Sequence, residues 1–204
     1  MRATCIPRTE GRIIPWGNGL GTSREIILEQ TTPQQESPTL LWRLATTRIE
    51  ADCPFSRYAG QDRIIVLLAG NGFELSHESA KTQAVTAPFE AIHFGGDWGT
   101  YCRLIDGPVE VLNVMTSRDQ VSCSIACVTV RAEAFVQRVS TASKALYVLD
   151  GKLSARLDGE AELALQEGDT VHLEIDAPRG MQLRSWEATA HLLLLEAQQR
   201  SISA

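Results

Sequence analysis

Apolar residues along this chain fall in short runs, some alternating with polar residues and some continuous, and each run ends on Gly, Asp or Pro. Ile64–Leu68, Gly72–Leu75, Val109–Val114, Cys123–Val130, Ala145–Leu149 and His191–Leu195 therefore predict strands. Helical spacing is nearly absent. One short segment, Ala132–Val136, fits a helical turn, and Thr31–Pro38 is a polar loop containing proline. The pattern predicts an all-β chain.

The two halves echo each other. Val66–Leu75 aligns with Tyr147–Arg156 at an offset of 81, and Val111–Met115 aligns with His191–Leu195 at an offset of 80. A hairpin followed by a terminal apolar strand at near-constant offset marks a duplicated β unit. Leu157-Asp158-Gly159-Glu160 and Gly168-Asp169 supply tight turns in the second copy. Hairpin and Gly-Asp turn together resemble the cupin barrel, a small jelly roll. The expected fold is a bicupin of two tandem cupin-like jelly-roll β-barrels packed as one compact unit. Residues 1–120 would form the N-terminal barrel with a ligand pocket, and residues 121–204 a C-terminal barrel that is mainly scaffold.

Composition narrows the function. The 204 residues carry 19 Lys and Arg against 25 Asp and Glu, a net charge of -6 with no block of like charge. Nucleic acid and membrane are therefore not expected partners. Met1–Arg8 lacks the apolar core of a secretion signal, and the longest apolar runs are too short to span a bilayer, so a soluble cytoplasmic protein is expected. The five cysteines are irregularly spaced without a Cys-x-x-Cys pair, as fits reduced thiols packed as small hydrophobes. Metal-binding cupins use two histidines one residue apart, an acid and a later histidine. Here His77, His93, His172 and His191 include no such pair. No metal, no cofactor and no catalytic residue is assigned.

Two arginines carry the candidate chemistry. On a strand through Leu41–Thr47, Arg43, Ala45 and Thr47 share one face while Trp42, Leu44 and Thr46 share the other. Arg63 opens an apolar strand with Ile65 and Leu67 on its face. A guanidinium in a partly dry cavity suits a carboxylate. The alternative is that each arginine pairs with a structural acid, such as Glu25 or Asp62, and holds no ligand. Gly17-Asn18-Gly19-Leu20-Gly21 is turn-rich but leads into a β-like segment, so it is no nucleotide fingerprint. Trp16, Trp42, Trp98, Phe55 and Phe94 either wall a pocket or belong to core, and His93 is a neutral hydrogen-bonding group for the first cavity.

The tract Trp16, Asn18-Gly19, Gly21, Thr22, Glu25, then Trp42-Arg43, Phe55-Ser56, Gly60, Arg63, Leu68, Gly70 and Asn113-Val114-Met115 resembles the HutD/Ves family over essentially the whole chain. Ala45 stands where that family usually has serine, Thr47 where a small apolar residue is usual, and Cys53 near a usual glycine. The resemblance implies a bicupin without established catalysis, associated in some bacteria with histidine utilisation. It implies a ligand set of Arg43, Arg63, Asn18, Thr22, Glu25, Trp42, Phe55, His93, Asn113 and Met115 for a small carboxylated metabolite such as a histidine-degradation intermediate. A homodimer is expected. Two other readings stay open: a cupin enzyme acting on a small organic acid, with Glu25 and His93 as proton carriers, and an oligomeric interaction module with vestigial pockets.

Overall fold

Strands that pack an apolar face on one side need a second sheet to cover it, and this chain builds that arrangement twice. The structure, a computed structural model, describes residues 2–31, 38–78 and 80–200. The expected loop Thr31–Pro38 falls largely on residues 32–37, outside the described residues. The chain opens with β1 (Arg2–Ile6), β2 (Arg12–Pro15), β3 (Thr22–Gln30), β4 (Leu40–Ile49) and β5 (Cys53–Pro54). There follow β6 (Gln61–Ala69), β7 (Phe73–His77), β8 (Ala80–Val85), β9 (Ala91–Gly95), β10 (Thr100–Leu104) and β11 (Val109–Ser117). The second half holds β12 (Val121–Arg131), β13 (Phe135–Val139), β14 (Ser143–Asp150) and β15 (Lys152–Leu157). It ends with β16 (Leu163–Gln166), β17 (Thr170–Glu174), β18 (Arg179–Ser185) and β19 (Thr189–Gln199). Among the described residues there is no α-helix, and so none long and apolar enough to cross a membrane.

The chain divides into two compact units. One is Gly11–Val121 with Arg200, and the other is Ser122–Gln199 with the segment through Glu10. The first has a six-stranded sheet, ordered β2-β3-β4-β11-β6-β9, and a four-stranded sheet, β5-β10-β7-β8. Ile65, Leu67 and Val111 from the larger sheet and Phe73, Leu75 and Cys102 from the smaller one meet in one buried cluster. The second unit pairs β1-β17-β14-β19-β12 with β13-β18-β15-β16, and Leu146, Val148 and Leu192 meet Leu153, Leu165 and Leu183 between them.

The duplication read from the sequence is visible as conformation. The β6–β7 and β14–β15 connections are not the hairpins expected from sequence, because each passes from one sheet of its unit to the other; both turn on glycine, Gly70 (φ 100°) and Gly151 (φ 81°), in the left-handed region that glycine enters without a Cβ penalty.

Two further expectations change. The first ten residues, placed in the N-terminal barrel from the sequence, belong to the second unit: β1 pairs with β17 from Arg2↔Glu174 to Ile6↔Thr170, and the Arg8 amide donates to Asp169 Oδ1 at 2.9 Å. The helical turn at Ala132–Val136 does not form. Ala132 and Glu133 make a bend, and Phe135 begins β13 opposite Leu183. Phe135, Gln137 and Val139 then point inward while Val136 and Arg138 face out, a period of two that fits an edge strand on a core better than a lone helical turn. All five cysteines are free thiols, and burial pushes Cys102 and Cys123 up to about 12, where a nucleophilic thiolate is scarce at neutral pH.

Deleting residues 2–6 exposes the edge of β17. Hydrogen exchange should then show protection lost across Thr170–Glu174 and retained in β4, β6 and β11; unchanged protection in β17 would contradict the pairing.

Candidate functional site

The inner face of the six-stranded sheet carries the polar residues of the first unit, and strand register decides which of them meet. Met115 on β11 stands opposite Arg43 on β4 and Arg63 on β6, so the two arginines flank one methionine. Arg63 in turn faces Phe94 on β9. Two residues along, Glu25, Ala45, Asn113 and Ile65 form the next row, and Ser23, Thr47, Val111 and Leu67 the one after. A β-bulge between Glu25 and Ile27 adds the residue that keeps Glu25 on this inner face while Ile26 and Ile27 are also buried.

These rows border a cavity of about 50 Å³. Arg43, Arg63, Asn113, Ser23 and Thr47 line it from the sheet, with Ile49, Ile65 and Val111 as apolar floor. Pro15, Trp16 and Asn18 close one side, and Phe55, Ser56 and Tyr58 another. The cavity is partly open and leaves room for a small ligand.

The two arginines have different surroundings. Arg43 Nε lies 3.1 Å from Glu25 Oε2, although its N–H is not aligned on that oxygen, and Arg43 Nη1 is 3.9 Å from Met115 Sδ. The other oxygen, Glu25 Oε1, accepts from Arg12 Nε (3.2 Å) and Nη2 (2.8 Å). Burial pushes the Arg43 guanidinium down and Glu25 pulls it back up. Among the described residues Arg63 has no carboxylate partner. It is 7% exposed, its Nε has no partner, and Nη2 reaches Asn113 Oδ1 only at 3.4 Å. Its charge rests instead on aromatic faces, with Cζ 4.9 Å from the Phe55 ring centre, 5.1 Å from Phe94 and 5.8 Å from Tyr58. Asp62, the acid next in sequence, points to the other side of the strand and bonds Arg118 Nε at 2.7 Å. Burial pushes Arg63 down to about 10, so it stays a cation at neutral pH. Because its folded-state value lies below its ordinary one, holding that charge costs stability below about pH 10, and the cost fades as pH rises through that value.

The loop over the cavity is built to stay put. Trp16 N donates to Gly21 O (2.8 Å) and Gly19 N to Trp16 O (3.0 Å), closing the turn. A Cβ on Gly21 would come within 2.9 Å of the Trp16 ring, so only glycine lets the indole lie flat there. Trp16 Nε1 donates to Ser23 Oγ (3.0 Å), which lies 2.6 Å from Thr47 Oγ1. Asn18 Nδ2 donates to Pro54 O at 2.7 Å and the Asn18 amide to Ser56 Oγ at 3.1 Å, fixing the loop to β5 and the residues after it.

Of the residues singled out from sequence, Arg43, Arg63, Asn18, Phe55 and Asn113 come together on the cavity wall, with Glu25 and Met115 touching Arg43 behind it. Three do not. Trp42 is buried on the opposite face of β4 from Arg43, since side chains alternate along a strand. Thr22 is exposed at the start of β3, and its neighbour Ser23 points inward instead. His93 is exposed on the outward face of β9, between the buried Ile92 and Phe94. The cavity also uses Tyr58, Ser56, Ser23 and Thr47, which sequence reasoning did not assign to the ligand set. Ser23 and Thr47 share strand parity with Glu25 and Arg43 and were findable on that basis. Tyr58 sits in a loop, where no periodicity points to it. Among the described residues no group of three or more His, Cys, Asp or Glu side chains is placed to hold a metal ion.

Removing the Glu25 carboxylate strands the 12% exposed Arg43, so Glu25→Ala should cost about 3 kcal/mol in urea unfolding. Arg12→Ala, at a 68% exposed side chain, should cost under about 1 kcal/mol. Equal losses would show that Glu25 serves the surface pair rather than the cavity.

A Pseudomonas putida protein, described as an uncharacterized 21.2 kDa protein in the hutC 3' region, is 31% identical over 115 residues, 56% of either chain. Protein Ves of Citrobacter koseri is 29% identical over 111 residues, 54% of this chain and 56% of that one. The chain thus spans just over half the length of these curated relatives. Among solved structures, a conserved protein of unknown function from Pseudomonas aeruginosa PAO1 superposes with a TM-score of 0.83 at 21% identity, covering 98% of this chain and 100% of that one. HutD from Pseudomonas fluorescens SBW25, in a formate condition, gives 0.79 at 21% identity with the same coverage. A cupin 2 conserved barrel domain protein from Leptotrichia buccalis gives 0.55 at 13% identity, covering 95% and 92%. At these identities the likeness is one of fold, an all-β cupin-like architecture. The HutD family model matches residues 8–194, and the chain belongs to the HutD family.

Proposed function

We propose that this chain binds a small carboxylated metabolite in the cavity of its N-terminal unit, without turning it over, and acts as a sensor or regulator linked to histidine utilisation. The observation that carries the reading is Arg63, a buried guanidinium with an unpartnered Nε and no carboxylate partner among the described residues. A buried charge without an opposite charge is costly, and an anion bound beside it would offset that cost. Arg43 stands on the same wall with its charge shared with Glu25, so the two arginines offer a fork to one carboxylate. The cavity has room for a small acid, and the structure of P. fluorescens HutD is described for a formate condition, formate being the smallest carboxylate. The metabolic link rests on the relative in the hutC region and on family membership. In a cytoplasmic homodimer, ligand occupancy would be read by a partner through the loop that Asn18 and Trp16 hold over the cavity.

A thermal-shift titration with formate, acetate and urocanate on protein dialysed free of small acids checks this. A saturable rise in melting temperature is expected, since a ligand that prefers the native state stabilises it, and Arg63→Met should lose that rise while still unfolding cooperatively. A rise of unchanged size and midpoint in the variant would remove Arg63 from the site.

A further inference from the structure

The wall of the cavity offers several hydrogens to donate and no acidic group among the described residues to receive one. Arg63 Nε has no partner. Ser23 Oγ and Thr47 Oγ1 share one hydrogen bond, and because Trp16 Nε1 already donates to Ser23 Oγ, one of their two hydroxyl hydrogens is left over. Ser56 Oγ accepts the Asn18 amide and keeps its own hydrogen. The phenol of Tyr58 lines the cavity with no hydrogen-bond partner among the described residues, beside both Arg43 and Arg63.

Tyr58 is also held in place. Its amide donates to Gly96 O (2.7 Å), Gly96 N donates to Gln61 O (2.7 Å), and Arg118 joins Gln61 O, Asp62 and Asp97 around that loop. None of the described residues on the wall is acidic, and Glu25 turns its oxygens to Arg12 and Arg43.

An ammonium group on the ligand would bring three more hydrogens and a positive charge to this wall, next to two guanidiniums. A keto, hydroxyl or acyl oxygen beside the carboxylate would instead accept from a donor already in position. Resting on the carboxylate reading above, we propose that the site selects carboxylic acids bearing a second oxygen acceptor and rejects free α-amino acids. Tyr58 is the specificity-determining residue that donates to the second acceptor.

Three-carbon acids of similar size separate these terms: pyruvate, propionate and alanine, titrated against the full chain at pH 7 by calorimetry or thermal shift. Pyruvate should bind at least about tenfold more tightly than alanine and measurably more tightly than propionate. In Tyr58→Phe, which keeps the ring over Arg63 and removes the donor, the pyruvate-to-propionate affinity ratio should fall to about one. Alanine binding as tightly as pyruvate would overturn the selectivity while leaving the carboxylate reading standing. An undiminished ratio in Tyr58→Phe would overturn the role of Tyr58. If none of the three acids binds, the carboxylate reading fails and the selectivity fails with it.

Discussion

Taking a guanidinium out of water costs several kcal/mol unless an opposite charge or a full set of acceptors replaces the lost hydration, and Arg63 has neither. Three aromatic faces and one long bond to Asn113 hold it in the cavity wall. The neighbouring features make sense around that cation. Asp62 is diverted to Arg118, Glu25 is committed to Arg12 and Arg43, and the other polar groups on the wall are neutral amides and hydroxyls. A fold needing only a filled core would place a hydrophobe at position 63, as it does at Ile65 and Leu67 on the same face. On the proposed reading stability is given up at this position, and a bound anion restores it.

The sheet makes this possible by register. With β11 between β4 and β6, one residue, Met115, spaces two arginines that are far apart in sequence. The polarizable thioether stands between the guanidiniums and accepts only a long contact, 3.9 Å, from Arg43 Nη1. The next two rows mix polar and apolar positions, Glu25 and Asn113 with Ile65, then Ser23 and Thr47 with Val111 and Leu67, so the polar patch is bordered by buried hydrophobes.

Much of this was legible in the sequence. Alternating runs gave the strands, the echo of Val66–Leu75 in Tyr147–Arg156 gave the duplication, and parity on Leu41–Thr47 put Arg43 inside. The same parity should have removed Trp42 and His93, whose neighbours in sequence carry the inward positions. What the sequence withheld was pairing between distant segments. Whether Glu25 answers Arg43 or Arg63 depends on a bulge and on which strands adjoin, and the structure gives it to Arg43. The partner of Asp62 is 56 residues away. β1 crosses to the second unit because β17 has an open edge there, a fact that exists only once the sheet is assembled. Tyr58 enters the site from a loop fixed by backbone bonds that no side-chain pattern announces.

The proposed site depends on Arg63 being a cation held at a loss in the ligand-free protein. The most direct measurement is the urea unfolding free energy of ligand-free Arg63→Met against the unaltered chain at neutral pH. An uncompensated charge predicts a variant within about 1 kcal/mol of the parent or more stable, because methionine fills the same space without the desolvation cost. A loss of about 3–5 kcal/mol would mean that Arg63 is a satisfied structural group, and the cavity would then lose its claim on an anion.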